Sequence, residues 1–93
     1  MAVEIVWSPL ARCRLRGIRS YVALDKPEAA ERLATRIVAV VEALREHPYL
    51  GRVGSEPRIR ELVIGTPYIV LYRVQGKRLT ICTILHGAQR AER

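Results

Sequence analysis

Ninety-three residues supply one domain with one modest core, and sixteen Lys plus Arg against nine Asp plus Glu leave a formal charge of +7. Such a field attracts nucleic acid, nucleoprotein or acidic protein surfaces, and serves equally well as a solubilising charge. The apolar fraction is 49% with no Phe and one Trp, no stretch approaches the roughly 18 uninterrupted apolar residues of a membrane span, and the first residues carry Glu4 without a basic leader. The expectation is a single-domain cytoplasmic protein over residues 1–93 that avoids the membrane.

In chain order, residues 2–7 contain Val3, Ile5 and Val6 and predict a strand ending at Ser8-Pro9. Ser8 can accept amide hydrogen bonds of a first helical turn, and the fixed φ of Pro9 suits the first helical position. Leu10, Ala11, Ile18, Tyr21 and Val22, with Leu15 on the flank, then recur at helical spacing and predict a buried stripe. Arg12, Arg16 and Arg19 form a row on another side, which fits a solvated face as well as a binding one. Asp25-Lys26-Pro27-Glu28 signals a second helix start, with Asp25 as cap and Glu28 completing a capping box. Ala30, Leu33, Ala34, Ile37, Val38, Val41 and Leu44 make the apolar stripe of that helix, and His47-Pro48 disfavours its continuation. Glu31 and Glu42 read as part of its polar face.

Residues 49–57 read as a loop. Strand-like alternation then covers 59–64, 68–74 and 79–85, with connectors short enough for antiparallel neighbours. The order is βααβββ, an α+β fold with a helical hairpin packed on a small, mainly antiparallel sheet. The sheet face away from the helices, edged by Arg58, Arg60 and Arg73, is apolar enough to be a docking surface. Cys13 and Cys82 lie in apolar periodic segments without metal-ligand spacing and read as buried free thiols. No metal site, cofactor motif or paired carboxylate is evident.

Five pieces in order carry a resemblance: Trp7-Ser8-Pro9 after the first strand; His47-Pro48-Tyr49-Leu50-Gly51-Arg52 after helix two; Arg60-Glu61-Leu62; the run from Tyr68 through Ile69, Val70, Leu71, Tyr72 and Arg73 to Val74; and Ile84-Leu85-His86-Gly87. Together they resemble the RelE/ParE toxins of bacterial type II toxin-antitoxin modules. The resemblance implies a toxin that forms a hetero-oligomer with a cognate antitoxin, in the plasmid-stabilization setting of that family. It leaves two targets open: messenger RNA in the ribosome for RelE-like members, DNA gyrase for ParE-like members.

The RelE-like chemistry needs an acid, a base and cations around the scissile phosphate. By the offsets of that branch, its two arginines and its tyrosine would fall at Ile64, at Gln89 and past Arg93, so none is matched. The reading therefore favours a non-enzymatic, ParE-like gyrase inhibitor with target-binding residues Arg58, Arg60, Arg73, Gln89, Arg90 and Arg93. The alternative is a ribosome-dependent endoribonuclease using His86, Arg90 and Arg73. A third possibility is a degenerate member that binds antitoxin and represses the shared promoter.

Overall fold

A computed structural model describes residues 2–54, 56–65 and 67–87. Its elements are β1 (Glu4–Trp7), α1 (Pro9–Ala23), α2 (Pro27–Ala43), β2 (Arg52–Val53), β3 (Arg60–Val63), β4 (Tyr68–Gln75) and β5 (Arg78–His86). One five-stranded sheet runs in the order β1-β5-β4-β3-β2. The β1–β5 pair is parallel and the other pairs are antiparallel. The α+β architecture is the expected one, with a two-residue strand, β2, added within the expected loop. So short a strand carries no period to read.

Ser8 starts α1 as foreseen: its Oγ accepts from the Ala11 amide at 3.0 Å and donates to the Cys82 carbonyl at 2.8 Å. One hydroxyl thus caps the helix and ties it to β5. The second helix corrects the expectation for Asp25. Lys26 occupies the N-cap position and no side chain caps the helix, because Asp25 belongs to the turn closing α1, where its amide donates to Val22 O.

The helical hairpin covers one sheet face. Along β4, Tyr68, Val70 and Tyr72 point into the core, opposite His86, Ile84 and Ile81 of β5. Leu79, Ile81 and Ile84 all join that core because the register slips by one residue at Cys82, opposite the Leu71/Tyr72 junction. From α2 come Ile37, Val41 and the C-cap Leu44, all fully buried. On the opposite sheet face Ile69 is buried, Leu71 and Leu85 are partly buried, and Val63 is exposed.

Helix α1 departs from the expected stripe. Ala11 is buried, with Leu15 and Ile18 packed against the core, whereas Leu10 and Tyr21 are exposed. At about 100° per residue, Leu10 and Tyr21 lie on a second apolar face, roughly a quarter turn from the first. Cys13 shares that face and is exposed, contrary to the buried thiol expected, while Cys82 is partly buried; both are free.

Candidate functional site: an arginine-lined end of the sheet

After α2 the chain turns through residues 44–50, with the His47 amide on Ala43 O and the Leu50 amide on His47 O. It then presses the backbone of Gly51 against the sheet. The Gly51 N–H donates to the Tyr72 hydroxyl at 2.8 Å, and the Gly51 carbonyl accepts from Arg60 Nη1 at 2.7 Å. The Arg60 guanidinium also lies 4.8 Å from the centre of the Tyr49 ring, within cation-π range. A side chain at position 51 would put its Cβ 2.7 Å from Tyr72 Oη and 2.9 Å from the Glu61 carbonyl, so the close approach requires glycine. Burial pushes the Tyr72 phenol above its usual range, opposed in part by the Gly51 hydrogen bond and the Arg60 charge.

Beside this clamp lies a hollow of about 480 Å³ lined by Tyr49, Glu56, Arg58, Arg60, Arg73 and Val74 among others. It unites the three arginines nominated from sequence but divides their roles. Arg58 and Arg73 are exposed, whereas Arg60 is committed to Gly51 and Tyr49. Glu61, 4% exposed, sits next to the clamp with Arg52 Nε 3.4 Å from its carboxylate. Tyr49, 64% exposed, lies outside the set of residues expected to bind the target, although its place in the His47-to-Arg52 motif was the available signal.

His86 stands elsewhere. It pairs with Tyr68 in the ladder, and the two rings meet edge to face, with centres 5.4 Å apart. Arg73 pairs with Thr80, five ladder steps away or about 17 Å at 3.3–3.4 Å per residue, and its side chain emerges on the opposite sheet face. Tyr68 packs in the core. Ile64, where the RelE-like offset would place an arginine, is buried, and its carbonyl accepts from Arg36 Nε at 2.9 Å. Gln89, Arg90 and Arg93 lie outside the described residues. Among the described residues no group of three His, Cys, Asp or Glu side chains is placed to hold a metal ion, and no helix is long and apolar enough to cross a membrane.

Residues 5–91 match the family described as ParE toxin of type II toxin-antitoxin system, parDE. The chain belongs to this toxin family. Its relatives include a Sinorhizobium fredii protein named as a candidate toxin, Y4kP, 40% identical over 92% of this chain and 90% of the relative. Another is toxin RelE2 of Caulobacter vibrioides, 35% identical over 92% and 97% of the two chains. Among solved structures, a chain from the chromosomal ParDE system of P. aeruginosa superposes with a TM-score of 0.83 at 26% identity, covering 91% of this toxin and 96% of that chain. A chain of the Mycobacterium tuberculosis RelBE2 complex shares the fold, with a TM-score of 0.70 at 16% identity over 92% and 99% of the chains. The RelE/ParE resemblance in the sequence is thus a family membership, and the fold is the family's.

Proposed function

We propose that this ParE-family toxin arrests DNA gyrase by binding it, without cutting nucleic acid itself, and that a cognate antitoxin neutralises it in a cytoplasmic hetero-oligomer. The observation that carries the reading is the ParE match across residues 5–91. The geometry supports it: groups that serve one scissile phosphate must converge on it, yet His86 and Arg73 occupy opposite sheet faces about 17 Å apart along the ladder. Arg58 and Arg73 at the hollow, with Gln89, Arg90 and Arg93, are the residues assigned to the target. An exposed cationic rim with an aromatic anchor such as Tyr49 suits recognition of an acidic protein surface.

A second reading, ribosome-dependent cleavage of messenger RNA through His86, Arg90 and Arg73, draws on the relative named RelE2. One experiment separates the two. Purified toxin is assayed for inhibition of gyrase supercoiling of relaxed plasmid and, in parallel, for messenger RNA cleavage in a translating extract. Inhibited supercoiling with intact message is the expected result. Unaffected gyrase with cut message, abolished by His86→Ala, would replace this reading with the second.

A further inference from the structure

The hollow at the arginine-lined end of the sheet holds charged side chains that the fold leaves unused. Elsewhere Arg19, Arg45, Arg52 and Arg78 each pair with a carboxylate. Glu56, Arg58 and Arg73 line one hollow and are all exposed. Yet among the described residues none of the three makes a side-chain ion pair. Two cations and an anion thus open onto a single space of about 480 Å³, a size suited to a small ligand.

Tyr49 gives that space a flat aromatic wall. The Arg60 guanidinium stands over the ring, 4.8 Å from its centre, and is itself tied to the Gly51 carbonyl. The ring is therefore held from one face, while the residue as a whole remains 64% exposed. An aromatic side chain fixed before binding loses little freedom when something stacks on it, and every nucleic-acid base offers a π-face for such stacking. Pro57, Ile59 and Val74 add apolar lining.

Charge selects among occupants. Inorganic phosphate would satisfy the two arginines but leave Tyr49 and the apolar lining without a contact. An acidic protein surface suits the rim, but a carboxylate entering the hollow would meet Glu56 as a like charge. A nucleotide carries its negative charge on the phosphate and presents a neutral base beyond the sugar, so its two ends can address opposite charges. Guanine matches the carboxylate best. Its N1–H and N2 amino group are neighbouring donors on the Watson–Crick edge, and a carboxylate only accepts. Adenine would turn an acceptor nitrogen toward the same oxygens.

We propose that this hollow is a guanine-nucleotide site, with the base stacked on Tyr49, its N1–H and N2–H donating to Glu56, and the phosphate held by Arg58 and Arg73. The inference rests on the reading above that Arg58 and Arg73 face the toxin's partner, and it names what the hollow grips there. The nucleotide is either a guanine in the nucleic acid that the target carries or a free guanine nucleotide.

Isothermal titration of the folded toxin tests this, using GMP, AMP, inorganic phosphate and a single-stranded oligothymidylate with one central guanine. GMP should bind about tenfold or more tightly than AMP or phosphate. Tyr49→Ala and Arg73→Glu should each weaken GMP binding by about tenfold or more. Glu56→Gln, whose amide can turn either its oxygen or its nitrogen to the base, should bring GMP and AMP within about threefold of each other. Tighter binding of the oligonucleotide than of GMP supports the site and marks a strand as its source, and the reverse supports it with the free nucleotide. Equal binding of GMP, AMP and phosphate reduces the hollow to a general anion patch and overturns the assignment. GMP binding that survives both Tyr49→Ala and Arg73→Glu also overturns it. No saturable binding of any probe overturns it outright, and weaker supercoiling inhibition by Arg73→Glu would then give the hollow to a protein surface of gyrase. Because no gyrase enters the titration, an unaffected supercoiling assay removes the gyrase reading and leaves the site standing. Should Tyr49→Ala not fold, Arg73→Glu and Glu56→Gln, at exposed positions, still decide the matter.

Discussion

The Tyr72 hydroxyl and the Gly51 amide meet at 2.8 Å across twenty-one residues of sequence, so the segment leaving α2 is fastened to the central strand of the sheet by a side chain. The same glycine's carbonyl is held by Arg60. Tyr72→Phe removes the acceptor and leaves a buried N–H without a partner, at a cost of about 1–3 kcal/mol. Urea unfolding should show a lower midpoint with an unchanged slope.

Alkaline pH probes the same contact. Burial raises the Tyr72 pKa above its ordinary value of 10.0, so the fold favours the neutral phenol. The resulting stability is fully present below the unfolded value and is lost as pH rises through the folded one. Urea midpoints measured from about pH 8 to about pH 11 should fall more steeply for the native chain than for Tyr72→Phe. Parallel curves would mean that Tyr72 contributes nothing to the alkaline loss.

The arginines of the hollow should separate by substitution. Arg60→Ala removes a charge-assisted hydrogen bond and a cation-π contact, and should destabilise the fold by about 1–3 kcal/mol. Arg73→Glu, at an exposed position, should change stability by less than about 0.5 kcal/mol while reducing inhibition of gyrase. Thermal unfolding alongside a supercoiling assay checks both, and full inhibition by Arg73→Glu would remove Arg73 from the target surface.

Ser8→Ala should cost about 1–2 kcal/mol, because the hydroxyl both caps α1 and donates to Cys82 O. Ser8→Gly would separate the two contributions. Glycine retains most of the capping preference but forms no bond to β5, so a loss equal to that in Ser8→Ala would assign the effect to the strand contact.

The strands and helices were legible wherever one period dominated a segment. Helix α1 misled because it carries two apolar faces, and a single-stripe search assigned Leu10 and Tyr21 to the core along with Ala11. Asp25 has the chemistry of a cap, but the turn after α1 placed it one residue too early. The arginines of the hollow were found by type and position, yet nothing local in the sequence distinguishes Arg60, held by Gly51 and Tyr49, from exposed Arg58. That difference depends on contacts between segments nine or more residues apart.

The one-residue slip at Cys82 has a consequence for how β5 tolerates change. Residues before it face the helices on odd numbers, Leu79 and Ile81, and those after it on even numbers, Ile84 and His86. Exchanging a side chain at the slip leaves both halves in phase with the core. Deleting Cys82 would restore uninterrupted alternation and keep Leu79, Ile81, Ile84 and His86 on the side of the helices, whereas a straight strand that retained Cys82 would turn the outer side of one half inward. At this point β5 therefore carries one residue more than β4, and the slip absorbs it without changing which side chains reach the core.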